Sequence, residues 1–395
     1  MRGRLRAAAA ALAACAVLPL AAAELTERQR LEDFDAMWRA IDARYAFFDA
    51  GHGAWRRARD TWRPRAAKAR ASRQFAAVLR ATLDTLEDDN VALAAEELSR
   101  ARVPYDIDIW PRWEAGAARV EAVRVFSDAD VAGMRPGQPL ADSAVEGAMR
   151  ERLGRRPRDA AQAEWALRRV FAERNHRTPS ATPPLPALSA HRIGENRDLG
   201  YVKVRIGVPE PQLEQKLDTA LDQLSDTRAL IVDLRDNAGP GSPALTRTVL
   251  ARFVRQPTPW QLRSNPQAKP AADSIAPAGV AYTGPVVVLV DRWTAGEGET
   301  LAQGLKTVAH AQLIGTRTAG LRGATTEVRL PRSGFVVSFP VERTFQLDGK
   351  PRRELVPDIL IDLAAPKGGP GDPILYQALT RLQSSSAPAR RSAPR

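Results

Sequence analysis

The run Val287-Val288-Leu289-Val290-Asp291-Arg292-Trp293-Thr294-Ala295-Gly296-Glu297-Gly298-Glu299 reads as a buried strand passing straight into a helix. A strand-to-helix elbow is where many hydrolases hold a nucleophilic serine, with helix-end amides close enough to stabilise an oxyanion. Here the elbow carries glycine. Nucleophilic catalysis needs an oxygen or sulfur with a base in hydrogen-bond reach, so the framework for acyl chemistry is present without the group that performs it. Two hydroxyls stand near in sequence, Thr294 in the elbow and Ser242 after a glycine-rich turn, and relocated catalysis through either is left open. His52, His176, His191 and His310 are scattered, and each reads as a surface or structural residue rather than a base for those hydroxyls. Glu297, Glu299 and Glu327 leave paired-carboxylate acid/base chemistry open. Solvated glutamates at a helix N-terminus are the preferred reading, because the helix dipole favours acids there. No Walker or dinucleotide glycine pattern follows a strand and no His/Cys set has metal spacing, so neither cofactor nor metal is expected.

Those residues need a scaffold, and 395 residues with 44% hydrophobic and 26% charged content suffice for about two or three domains with a proper core. The first 23 residues are expected to lie outside the fold. Arg2, Arg4 and Arg6 precede an apolar run from Ala7 to Leu20, and Ala21-Ala22-Ala23 offers small residues for cleavage, the pattern of a secretory signal. The run is too short for a spanning helix, so a periplasmic or secreted protein is expected. The one cysteine, Cys15, lies inside that segment; Leu12-Ala13-Ala14-Cys15 also resembles a lipoprotein cleavage box, which leaves a lipid anchor as the alternative. Half of the formal charge of +12 comes from Arg2, Arg4 and Arg6 with Arg390, Arg391 and Arg395. Elsewhere acids are interleaved with arginine, which argues against a nucleic-acid partner and leaves an envelope protein possible.

Helical periodicity governs residues 24–103, with Phe34, Met37, Trp38, Ile41 and Tyr45 on one face and Phe75, Val78, Leu79, Leu83 and Leu86 on another. Residues 104–178 form a middle segment. Within it the run from Ser127 to Gln138 resembles the short helix and turn of a PDZ domain, a module that binds an extended peptide as an added strand. Residues 179–198 are read as a Pro-, Ser- and Ala-rich linker. From Leu199 to residue 383 strands and helices alternate as in an α/β core, including a helix capped by Ser242 with Pro243 first. Residues 384–395 read as a disordered tail.

Three stretches together resemble the C-terminal-processing (tail-specific) serine peptidases, including relatives of the tricorn core: Leu230 to Gly239, Val287 to Glu299, and Leu313 to Gly320 continued to Val356-Pro357-Asp358. The resemblance implies an α/β core of the crotonase-like ββα type behind a helical N-terminal domain. It places the serine at Gly296. The lysine of the Ser/Lys branch falls at Leu321, with Arg322 unable to replace it because a guanidinium does not deprotonate in proteins. The histidine of the Ser/His/Glu branch falls at Asn90, which cannot take a proton as imidazole does. Glu354, shortly before Pro357-Asp358, fits the remaining acid, while Gly239 and the amide of Glu297 fit the oxyanion donors. The expectation is an exported, catalytically inactive relative that binds peptides or unfolded segments. An active serine-type endopeptidase with displaced catalytic groups is the alternative.

Overall fold

The computed structural model describes residues 24–49, 51–95, 102–140, 143–174, 186–208, 211–238, 241–364 and 371–384. The secretory segment with Cys15, the expected oxyanion donor Gly239 and the tail from residue 385 lie outside them, as do residues 179–185 of the expected linker.

The long apolar runs of the sequence become a central sheet in the order Ile359–Leu360, Gln312–Gly315, Val286–Val290, Ala229–Asp233, Leu199–Val204, Leu188–Ile193. Its neighbours are parallel up to Leu199–Val204, and Leu188–Ile193 closes the edge antiparallel. Strands covered on both faces read as unbroken hydrophobic runs. Val286, Val288 and Val290 turn toward the helices Leu213–Gln223, Pro243–Leu250 and Glu297–Val308. Val287 and Leu289 turn the other way, onto Ile374, Ala378 and Leu382 of Pro373–Ser384. One boundary differs from expectation. Leu188–Ile193, assigned to the linker, is a strand whose half-exposed Leu-Ser-Ala-His-Arg-Ile pattern hides its pairing with Leu199–Val204.

The N-terminal helices Glu27–Arg44, Gly53–Lys68 and Ser72–Leu83 bury the expected Phe34, Met37, Ile41, Phe75 and Leu79. They do so against Leu330, Phe335, Val337 and Phe339, which belong to a hairpin of the C-terminal core. A short strand, Ala92–Ala94, adds to that hairpin opposite Val336–Ser338, so helices and core share one hydrophobic cluster.

The middle segment contributes the hairpin Ile109–Glu114 and Ala117–Val123 with the helices Asp128–Val131, Ser143–Leu153 and Ala160–Arg174. Ser127 caps the short helix by accepting from Asp130 N. Among the described residues the hairpin is joined by the stretch from Gly137 to Leu140, with Val120 N donating to Gln138 O at 2.9 Å, Leu140 N to Ala118 O at 2.9 Å and a bridge from Arg119 to Pro139, and by no further strand. The segment is fastened to the elbow. Trp293 packs edge-on to Trp110 and donates from Nε1 to Ile107 O at 2.8 Å, while Arg292 donates from Nε to Glu121 at 2.9 Å. Among the described residues no helix is long and apolar enough to cross a membrane.

Candidate active site

Gly296 sits at the elbow as N-cap of Glu297–Val308, with φ 54° and ψ −113°. That backbone is strained for any L side chain, and a Cβ built on it would meet nothing within 4 Å. The sharp setting that thrusts a nucleophile out of the chain is therefore present, and the side-chain direction opens onto free space.

What holds the elbow is Glu299, fully buried one turn into the helix. Its carboxylate accepts from Gly296 N at 3.0 Å, in the manner of the returning half of a capping box. It also accepts from Thr318 Oγ1 at 2.8 Å, Gly320 N at 2.8 Å and Leu321 N at 3.2 Å. Arg352 lies 3.8 Å away and donates to Thr300 Oγ1 at 2.6 Å, Leu321 O at 2.9 Å and Gly296 O at 3.3 Å. Burial pushes the Glu299 carboxyl up from its ordinary value, while Arg352 and the converging donors pull it back. This clamp corrects the reading of Glu299 as a solvated helix-end acid.

The base positions are equally committed. Asn90 Nδ2 donates to Gly323 O at 3.1 Å and to Arg322 O. Leu321 is buried and extends into the same region with no titratable group. Arg322 turns away, donating to Tyr45 OH at 2.8 Å beside the buried Asp88, to which the tyrosine itself donates at 2.7 Å. The turn needs glycine at Gly323, where a Cβ would fall 1.5 Å from Glu342 O.

Two expected residues are not where the chemistry would need them. Glu354 is exposed on the short turn Arg352–Glu354 and is absent from the cavity wall among the described residues; the turn directs Arg352 inward instead. Thr294 is fully buried, donating to Leu234 O at 3.1 Å and accepting from Asp291 N at 2.9 Å, so its hydroxyl fastens the elbow. Ser242 is the cap read from the sequence, accepting from Leu245 N at 3.4 Å.

Gly296, Asn90, Glu297, Leu321 and Arg352 nevertheless border one cavity of about 400 Å³. Its walls include Ala92–Ala94 from the N-terminal region, Ser338 from the hairpin, and Trp260 and Gln261 from the strand Thr258–Ser264. Asn237, whose Oδ1 accepts from Ile206 N at 2.9 Å, anchors the turn that faces the elbow. That turn runs close: a Cβ at Gly241 would lie 2.3 Å from Glu297 Cβ. The Glu297 carboxylate accepts from Thr246 Oγ1 at 2.8 Å, and its main-chain N–H makes no bond among the described residues. The site is thus a cleft with a helix-end amide at its elbow, and the side positions of Gly296, Asn90 and Leu321 supply it with neither nucleophile nor base. Sequence reasoning missed the Glu299–Arg352 clamp; the available signal was the three-residue spacing from Gly296 to Glu299, which suits a capping box.

The sequence pattern of peptidase family S41 matches residues 198–361, and that of the tricorn protease C1 domain matches residues 26–84. The fold is similar to a protein of Parabacteroides merdae at 16% identity, with a TM-score of 0.61 over 91% of this chain and 97% of that one. It is similar to the photosystem II D1 C-terminal processing protease at 19% identity, with a TM-score of 0.55 over 91% and 98%. Mature CPAF gives 13% identity and a TM-score of 0.57 over 91% and 96%. At these identities the structural likeness is one of fold.

Proposed function

The chain belongs to peptidase family S41, and on that premise we propose that it is a non-catalytic member that holds extended peptide or unfolded protein segments in the elbow cavity without cutting them. The observation that carries this reading is the conjunction at one cavity of Gly296, Asn90 and Leu321, none of which can attack a carbonyl or accept its proton. In a well-studied serine protease, loss of the nucleophile or base alone lowers turnover by about a millionfold. An oxyanion donor without those groups still favours a bound peptide carbonyl. Export directed by the first 23 residues is part of the same proposal, with the lipid anchor at Cys15 as the alternative. An envelope protein is the corresponding source of unfolded segments.

The test is fluorescence anisotropy with a labelled, permanently unfolded protein fragment. Saturable binding to the unmodified protein, abolished in Gly296→Trp, supports the reading. The indole would fill the space beyond the elbow, and circular dichroism checks that the variant folds. Equal binding by both proteins would move the binding site elsewhere.

A further inference from the structure

We propose that the elbow cavity selects peptide segments bearing a basic side chain, lysine or arginine, and that Glu327 on the hairpin wall of the cavity pairs with it. The inference rests on the peptide-binding reading above and adds a specificity to it.

One wall of the cavity is a face of the three-stranded sheet formed by Ala92–Ala94, Val336–Pro340 and Thr325–Arg329. Alternation along each strand sorts its side chains. Leu93, Val337 and Val328 turn toward the N-terminal helices. Ala92, Ala94, Val336, Ser338, Thr325 and Glu327 are left on the other face, and all six border the cavity. The pairing sets Ala92 opposite Ser338, and Ser338 opposite Glu327. Residues so placed have Cβ atoms about 5 Å apart, so one row across the wall runs from a methyl through a hydroxyl to a carboxylate. Glu327 is exposed, and it makes no hydrogen bond or ion pair among the described residues. Arg329, the next side chain along that face, is directed into the hairpin turn, where it donates to Gly334 O at 2.9 Å.

The other charges on the wall are answered elsewhere. Arg247 is matched by Asp273 at 2.9 Å and Arg263 by Glu342 at 2.6 Å. Arg352 is held beneath the elbow, on Leu321 O and Thr300 Oγ1. Arg102 borders the cavity from the side of the middle segment, where the adjoining Val103 shares a cluster with Trp293, and it forms no ion pair with Glu327 among the described residues. A cationic side chain lying over Ala92 brings the counter-charge that Glu327 lacks, with Ser338 Oγ beside it as a further acceptor. An acidic side chain meets like charge there, and an aliphatic one displaces water from the carboxylate without replacing its hydrogen bonds. The formal charge of +12 on the whole chain works in the opposite sense and favours acidic peptides at long range. A preference for lysine therefore has to come from the local carboxylate and not from the overall field.

The experiment uses alanine–serine peptides that differ only at one central residue (lysine, acetyl-lysine, leucine or glutamate), measured by calorimetry against the full-length protein at low ionic strength. Lysine is expected to bind about fivefold tighter than acetyl-lysine or leucine, the scale of one solvent-accessible charge pair, and glutamate weakest of the four. The advantage should shrink as salt is added. In Glu327→Gln, an exposed near-isosteric change of the kind that leaves folds intact, lysine and acetyl-lysine peptides should bind alike. Equal affinities across the peptides on the unmodified protein overturn the specificity and leave the peptide-binding reading standing. Binding of none of them overturns both. Tightest binding by glutamate overturns the proposal in favour of the overall field or of Arg102. A lysine preference that survives Glu327→Gln overturns the assignment to Glu327. The comparison among peptides needs no variant, so a Glu327→Gln protein that failed to fold would not blunt it.

Discussion

Gly296 differs by one hydroxymethyl group from the serine that the family resemblance assigns to the elbow, and the surrounding residues determine what introducing it would do. The backbone at φ 54° disfavours any side chain, so Gly296→Ser should lower stability by about 1–2 kcal/mol, readable by urea denaturation. It should yield no peptidase activity, because Asn90 is held as a donor to the carbonyls of residues 322 and 323 and takes no proton. Adding Asn90→His supplies a base but no orienting acid, since Glu354 faces solvent. Slow, detectable hydrolysis is expected of the double variant, and a cleanly folded inactive one would contradict the placement of Asn90. The clamp beneath the elbow predicts a larger effect. Glu299→Ala leaves Arg352 buried without its carboxylate and frees four donors, at a cost of about 3–5 kcal/mol. An unchanged denaturation midpoint would show that the clamp contributes nothing. The sequence reading of Gly296, Asn90 and Leu321 rests on the motifs that flank them, and the structure brings all three to one cavity. The clamp was not legible, because a glutamate at a helix start has a sufficient explanation in the dipole alone.

Among elements, legibility followed burial. Val286–Val290 and Ala229–Asp233 are fully buried, and their uninterrupted apolar character announced them. Ser242 and Pro243 marked their helix for equally local reasons. Ala92–Ala94 is too short to carry a pattern and exists by pairing with a distant hairpin, while Leu188–Ile193 lies at an edge where little is buried. Charges at strand ends make a testable contribution. Burial would raise the Asp233 carboxyl, yet Arg235 outweighs it, with Lys203 and Tyr201 assisting, and holds it at about 2. A depressed carboxyl stabilises the fold fully above its unfolded value near 3.8. That contribution, on the order of 2 kcal/mol, is lost as pH falls through about 2. The stability gap between the unmodified protein and Asp233→Asn should therefore be constant from neutral pH down to about 5 and narrow in stronger acid. A gap independent of pH over that whole range would assign the effect to packing.

At the scale of the molecule, helices, middle segment and core behave as one body around the cavity. The N-terminal helices bury Phe339 and Val337 of the core hairpin, and the middle segment grips Trp293 at the elbow. Phe339→Ala should cost about 3–5 kcal/mol and lower a single cooperative transition; a separate early transition would show that the helical region melts alone. Domain limits drawn from composition missed this sharing, because a seam between segments far apart in sequence has no local signature. The same arrangement explains why the cleft is lined from both ends of the chain. The most direct measurement is native mass spectrometry of the purified chain after long incubation with an unfolded protein, alongside Gly296→Trp. The account predicts complexes with substrate of intact mass for the unmodified chain, none for the variant, and fragments in neither sample. Fragments formed by the unmodified chain and absent with Gly296→Trp would contradict it.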